Sequence, residues 1–552
     1  MVVVRYPSGA ERSFPAGTRV AEAAADPSFP RTATPLLAAL ANNELVSLAG
    51  ELAVSCALAP VELASRTGLI VYRRSLCFLL SLAARQQFPG RRLVIGHSLG
   101  HGYLYWFEDA EEVPDADVAA LHDRMRGLVA ANRPVECARL AWAEAVAYFE
   151  ENGQPDTALL LRNRGEPVVR VNACAGAIDL DHGPLVPSTG VLKTFALLPF
   201  QPGLLLRYPP AETPLAMGPF VENPVLVSIY REYKRWGKIL RVGSVGRLNG
   251  LIRDGGIREF IEVAEALQDR KIAEIADRIN ARRDTVRVVL IAGPSSSGKT
   301  TFSKRLMVQL RVAGRNPVTI SLDDYFLDRD HTPKDDQGAP DYEALGALDV
   351  AQLNEHLLAL MRGDEVELPS FDFHTGARRQ GAGARLRLPE RAVLILEGIH
   401  GLNGELTPAV PREAKYLVYV SALTQLNLDD HNRIPTTDNR LVRRLVRDSQ
   451  FRGHDAVTTL RMWPSVRRGE DRNIFPFQNG ADSAFNSALD YELAVLKVLA
   501  EPLLSSVPPD QPEYQDARSL LGFLANFASL NPRWVPPDSI LREFIGESTF
   551  KY

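Results

Sequence analysis

The strongest chemical signal in the chain is Gly293-Pro294-Ser295-Ser296-Ser297-Gly298-Lys299-Thr300. Two glycines separated by four residues, followed by Lys and Thr, make a loop whose backbone N–H groups can surround an anion. The flanks say how that loop is held. Val286–Ala292 is a short β-branched apolar run, as expected of a buried parallel strand. Phe302, Leu306, Leu310 and Ala313 recur at helical spacing, and Gly314 suits the helix end. The loop therefore lies between a strand and a helix N-terminus, where the helix dipole favours phosphate. Gly293, Ser295, Ser296, Ser297, Gly298 and Thr301 would line the phosphates of a nucleotide. Lys299 would reach the outer phosphates, and the Thr300 hydroxyl would hold Mg²⁺.

A phosphate loop implies a nucleotide, not a reaction. The guanine-reading NKxD is absent, and Asp335-Asp336-Gln337-Gly338 matches DxxG only within a polar loop. No ABC-type signature occurs. Transfer of phosphate to a small molecule needs a carboxylate on the acceptor hydroxyl, an acid near Mg²⁺, and cations on the phosphoryl group. Asp323 ends the strand run Val318–Leu322 and would face the ligand crevice as the catalytic carboxylate. Turn capping is the structural alternative for Asp323 and Asp324. Glu397 ends Val393–Leu396 and could hold the metal, or serve the fold alone. Arg440, Arg443, Arg444, Arg447 and Arg452 follow, the first four on one helical face. They suit a phosphate-covering lid; a solvated charged face or nucleic-acid binding is the alternative.

These groups need a scaffold, and 552 residues are too many for one core. With 45% hydrophobic and 24% charged residues, the composition is that of a globular protein and argues against wholesale disorder. A net charge of −4 gives no global argument for nucleic acid or membrane. Cys56, Cys77, Cys137 and Cys174 form no CxxC and suit a reducing compartment. No secretory h-region is seen, and no apolar run approaches about 18 residues, so a cytoplasmic protein without membrane contact is expected.

Five segments follow along the chain. Residues 1–62 read as a small α+β unit, with Val2–Val4 and Glu11–Phe14 as strands, Thr18 as a helix N-cap and Asn42-Asn43-Glu44 as a turn. Residues 68–210 read as a second α+β unit, and 212–284 as a helical connector. Residues 285–505 alternate strands and helices, which predicts a parallel sheet with helices on both faces. Residues 506–552 are a C-terminal extension, Pro-rich and then helical, with no assigned chemistry. The fold class is thus multidomain α/β and α+β.

From about 285 to 500 the chain resembles the uridine kinase/phosphoribulokinase family. The matching motifs are the glycine loop, the Ser321-x-Asp323-x-Tyr325-Phe326 strand end, Pro369-x-Phe371-Asp372-Phe373, Glu397-Gly398-Ile399, and Arg443-Arg444-Leu445-Val446-Arg447-Asp448 leading to Arg452-Gly453. The resemblance implies an ATP- and Mg²⁺-dependent nucleoside kinase with Asp323 as catalytic aspartate. It implies that Asp341, Phe371, Arg447 and Arg452 contact nucleoside or phosphates. A uridine-contacting histidine of that family is Gly376 here, with His374 two residues earlier, and an arginine is His454. Residues 1–62 resemble the TGS domain, a β-grasp module. Residues 68–210, above all Gly183-Pro184-Leu185-Val186-Pro187-Ser188-Thr189-Gly190, resemble the editing domain of threonyl-tRNA synthetases. That family's editing groups fall on Arg74, Ser75, Phe78, Asp181 and Leu185, so no imidazole or thiol remains for metal or proton transfer.

Two other classes compete. Gly96-His97-Ser98-Leu99-Gly100 fits the nucleophile-elbow pattern of serine hydrolases, but Tyr103–Phe107 reads as a strand where a helix is required. His97 and His101 lie four apart, between glycines that argue against a helical zinc pair. The N-terminal units could also bind tRNA or another RNA, with the kinase half acting on another acceptor such as a sugar phosphate; a homo-oligomer is compatible with either.

Overall fold

The apolar run before the glycine loop becomes the central strand of a five-stranded sheet. The computed structural model describes residues 1–551 except 335–337, 339–340, 373–374, 376 and 379–383. Strand β1 (Val288–Ala292) enters the loop and helix α1 (Lys299–Val312) leaves it. Then come β2 (Asn316–Ser321), α2 (Val350–Arg362), β3 (Ala392–Glu397), β4 (Lys415–Ser421), α3 (Thr436–Phe451), α4 (Ala456–Asn473) and β5 (Ser483–Asn486). The order across the sheet is β2-β3-β1-β4-β5, every neighbouring pair parallel. Strands β1, β2 and β3 lie within two residues of the runs Val286–Ala292, Val318–Leu322 and Val393–Leu396 read from the sequence. Every residue of β1 and β4 is buried, as strands covered on both faces must be. The carboxyl ends of β1, β2 and β3 therefore open into one crevice, with Ile291 and Ser321 both in register with Glu397.

The first unit is a mixed sheet in the order Glu11–Phe14, Val2–Arg5, Cys56–Glu62, Leu36–Ala41, Glu44–Ser47. Asn42 and Asn43 have φ of 51° and 59° and make the tight turn that the sequence predicts. Thr18 is not a helix cap. It pairs with Leu52 as a short strand, and its hydroxyl donates to Pro15 O at 2.8 Å.

The second unit packs helix Arg66–Gln87 on an antiparallel sheet, ordered Ala196–Phe200, Gly203–Arg207, Gly102–Phe107, Leu93–Ser98. A separate three-stranded sheet joins Glu136–Ala141, Val168–Cys174 and Ala177–Leu180. Helix Arg66–Gln87 is, against expectation, long and apolar enough to cross a membrane, with mean hydropathy 1.3 over its best window. That window is 78% buried inside the protein, so its apolarity serves the core.

Helices Pro224–Leu240, Val245–Arg253 and Ile257–Ala281 bridge to the kinase-like half. One apolar core runs without break through Phe149 and Val171 of the second unit, Phe260 and Ile275 of the long helix, Phe302 and Leu306 of α1, and Ile540 and Phe544 near the chain end. The C-terminal extension is thus an integral part of the body.

Candidate active site

The loop between β1 and α1 needs its glycines. A Cβ on Gly293 would lie 1.9 Å from Val420 O of β4, and Gly298 has φ of +79°. Lys299 Nζ turns back onto the loop and donates to Gly293 O at 2.9 Å and Pro294 O at 3.1 Å. Burial pushes its ammonium below the usual lysine range, opposed by the Glu397 charge. Ser297 within the loop and Thr301 in the first turn of α1 are buried.

Thr300 Oγ1 donates to Glu397 Oε1 at 2.9 Å across the crevice floor. Glu397 Oε2 is buried and has no hydrogen-bond partner among the described residues. Burial raises this carboxyl to about 7. A hydroxyl beside a carboxylate with one unsatisfied oxygen is a hard-oxygen set that fits Mg²⁺. Asp323 stands in a 3₁₀ turn immediately after β2, its N–H bonded to Ser321 Oγ at 3.2 Å. Its side chain is open to the crevice. The surrounding protein pushes its carboxyl above the usual range, and the charges of Lys299 and Arg452 pull it back. Lys299, Thr300, Glu397 and Asp323 are therefore brought together as the sequence predicts.

The arginine helix differs from expectation. Arg440 and Arg443 are 1% and 0% exposed and cannot form a lid. Arg440 pairs with Glu470 of α4 and donates to Ser295 O at 3.0 Å. Arg443 pairs with Glu492 and donates to Ser296 O at 3.3 Å and Ser487 O at 2.9 Å. A buried guanidinium requires a carboxylate and several acceptors, and the carbonyls of the phosphate loop supply them. These two residues brace the loop from behind. Arg444 Nη1 reaches Ser295 Oγ at 2.9 Å. Arg444, Arg447 and Arg452 all converge on the buried Asp448, at 3.1, 3.1 and 3.4 Å. Only Arg452 among the three is well exposed, at the crevice edge facing Asp323.

Asp341, expected from the resemblance to contact the acceptor, is half-buried and its Oδ1 accepts from Glu343 N at 3.0 Å. Phe371 pairs antiparallel with Arg378, its ring 5.7 Å from that of Phe326. Phe326 in turn lies 6.5 Å from Tyr342, which completes an aromatic wall. His374, Gly376 and most of the DxxG stretch lie outside the described residues. Three residues here escaped the sequence reading. Glu343 is raised to about 7 by burial, with Glu470 adding to the effect. His400 is buried and pushed down to about 4, so its ring is neutral. Glu470 accepts the Ser295 N–H at 2.9 Å. A polar His400 three residues beyond β3 is the one signal that could have revealed a member of this group.

The N-terminal motifs serve structure. Ser98 of the GHSLG stretch pairs with Tyr103 in a hairpin, and His97 stacks on Tyr230 at 3.9 Å. Asp181 pairs with Arg170 at 2.8 Å and accepts Gly183 N at 2.7 Å. Ser75 Oγ accepts Val186 N at 2.9 Å, while Phe78 and Leu185 are buried. The same loop is clamped to the segment before α3. His182 pairs with Asp429, His431 with Asp179, and Asp430 takes Thr157 N at 2.8 Å and pairs with Arg92.

A phosphate loop between strand and helix, with an acid at the end of each of the next two strands in the sheet, defines a P-loop phosphotransferase. Residues 288–494 match the Phosphoribulokinase / Uridine kinase family, so the C-terminal half carries a kinase domain of that family. A solved structure described as a possible uridine kinase from Bacillus stearothermophilus aligns at 18% identity and a TM-score of 0.25, covering 39% of this chain and 100% of that one. The N-terminal region is similar to threonine–tRNA ligases. Identity is 27% over 197 residues with that of Francisella tularensis subsp. novicida and 31% over 199 residues with that of Carboxydothermus hydrogenoformans. Each match covers 36% of this chain and 31% of the ligase, so the chain spans about a third of the length of these relatives.

Proposed function

We propose that the protein is an ATP- and Mg²⁺-dependent small-molecule kinase that phosphorylates the 5′-hydroxyl of a ribonucleoside, uridine or cytidine. The observation that carries this reading is the single crevice shared by Lys299, the Thr300–Glu397 pair and Asp323. Mg²⁺, when bound by Thr300 and Glu397, would supply positive charge beside the transferring phosphoryl. Lys299 would exchange its two loop carbonyls for phosphate oxygens. Asp323, with a raised pKa and a nearby cation, suits uptake of the acceptor proton. Arg447 and Arg452 would cover the phosphates, each held in place by Asp448.

The acceptor assignment rests on Asp341 and the aromatic wall. A carboxylate at 341 would take hydrogen bonds from a ribose diol, and Phe371 would offer a face to the base. Loss of one diol hydroxyl would leave Asp341 partly unpaired, at a cost of about 1–3 kcal/mol. The test is kcat/KM for uridine, cytidine and their 2′-deoxy forms, in the wild type and Asp341→Asn. Ribonucleosides should be preferred by the wild type, and the preference should shrink in the variant. Equal use of both sugars, or turnover of a sugar phosphate with no nucleoside activity, would refute the acceptor while keeping the kinase.

Similarity to threonine–tRNA ligases favours a second property, RNA binding by the N-terminal units. Salt-dependent RNA affinity that persists in Lys299→Ala would support it, because phosphate contacts made by Lys and Arg elsewhere release counterions.

A further inference from the structure

The last turn of the chain sits on the phosphate loop. Ile540, Leu541 and Phe544 are each 0% exposed. Ile540 Cγ2 lies only 2.5 Å from where a Cβ on Gly298 would stand, so that glycine is needed for the chain end to approach. The Arg443 guanidinium, which braces the loop, lies 4.9 Å from the centre of the Phe544 ring. Arg542 closes the turn by donating to Val535 O at 2.6 Å and Pro532 O at 3.2 Å. This packing aims Glu543 at the first turn of α1. Its Oε2 accepts the Thr301 N–H at 3.0 Å and the Thr301 hydroxyl at 2.8 Å.

The amides at the start of α1 are the donors a phosphate would use. Glu543 satisfies one of them with a carboxylate of the protein's own, as Glu470 does at Ser295 N on the other side of the loop. The two differ in how they are held. Glu470 is buried and fixed by Arg440 and by Arg467 at 2.9 Å. Glu543 is half-buried, and among the described residues only the Thr301 hydrogen bonds are seen at its carboxylate. Its charge also lies close enough to act on Lys299 and Glu397. The apolar anchors hold the chain end in place, while the carboxylate itself is held through Thr301.

We propose that Glu543 is an intramolecular occupant of the nucleotide phosphate site, an autoinhibitory carboxylate that an incoming phosphate must displace from Thr301. The inference rests on the reading of residues 293–301 as a nucleotide loop. Nucleotide affinity is then lowered by the fraction of molecules in which Glu543 occupies the loop. The balance is set at the phosphate, so the effect is the same for any ligand carrying a diphosphate.

The test is calorimetric titration of the full chain with MgADP and with magnesium pyrophosphate, comparing wild type, Glu543→Gln and Glu543→Ala. Both variants should bind both ligands about tenfold or more tightly than wild type, because an anion competing for the same donors is gone. Glu543→Gln keeps the shape of the side chain, so its result stands even if Glu543→Ala unfolds. Affinities equal to or below that of wild type would overturn the autoinhibitory role and leave the kinase reading intact. Absence of binding in wild type and variants alike would overturn both.

Discussion

Thr300 Oγ1 and Glu397 Oε1 are joined by a hydrogen bond of 2.9 Å, and the second oxygen of Glu397 is buried with nothing among the described residues to bond. This pairs the end of the phosphate loop with the end of β3 and fixes where a hard cation would enter.

Burial raises the Glu397 carboxyl to about 7, against 4.5 for an unperturbed glutamate. Between those values the folded state holds a proton that the unfolded chain has lost. Stability therefore falls as pH rises through this window. Glu397→Gln should remove that loss. Without metal, the variant should gain stability over wild type between pH 5 and pH 8, by up to about 3 kcal/mol. The same change should weaken Mg²⁺-dependent turnover by about 10-fold or more. Thermal melts at the two pH values and a Mg²⁺ titration of ATP turnover check both. An unchanged pH dependence would place the titrating group elsewhere.

Arg443 and Arg452 separate the two roles found in one arginine-rich stretch. Arg443 is a fully buried partner of Glu492, so Arg443→Ala leaves a buried carboxylate unpaired and should cost about 3–5 kcal/mol. Arg452 is half-exposed at the crevice, and Arg452→Ala should change stability by no more than about 1 kcal/mol while lowering kcat. Urea unfolding and steady-state kinetics on both variants are the check. A stable, inactive Arg443→Ala protein would restore the lid reading for that residue.

The editing-like unit should be chemically silent. Arg74, Phe78, Asp181 and Leu185 stand where the resemblance implies three histidines and a cysteine; the structure buries Phe78 and Leu185 and pairs Asp181 with Arg170. Purified protein should not hydrolyse Ser-tRNA(Thr) above background and should hold no stoichiometric zinc. Hydrolysis, or one zinc per chain, would contradict this account.

Much of the kinase half was legible because its strands are β-branched and covered on both faces, and because Gly293 and Gly298 mark a turn that other residues cannot make. Asp323 and Glu397 were legible as polar residues closing apolar runs. The carboxylates that hold the site together were not. Glu470, Glu492 and Glu543 meet Arg440, Arg443 and Thr301 only after folding, and nothing in their spacing records it. Helical periodicity placed Arg440 and Arg443 on one face but could not tell whether that face meets water or the back of a loop. The role of the chain end was hidden for the same reason, since Ile540 and Phe544 join the core of β1 and α1 only in the folded chain.

The central claim is acceptor-dependent phosphoryl transfer through Lys299 and Asp323. Its most direct test is acceptor-dependent ADP formation from MgATP, measured with uridine, cytidine, sugar phosphates and glycerate for the wild type, Lys299→Ala and Asp323→Asn. The wild type should turn over at least one acceptor. Lys299→Ala should lose most of that rate, and Asp323→Asn should keep ADP affinity while kcat falls by about 10² or more. Undiminished turnover in either variant, with the same acceptor, would contradict the account.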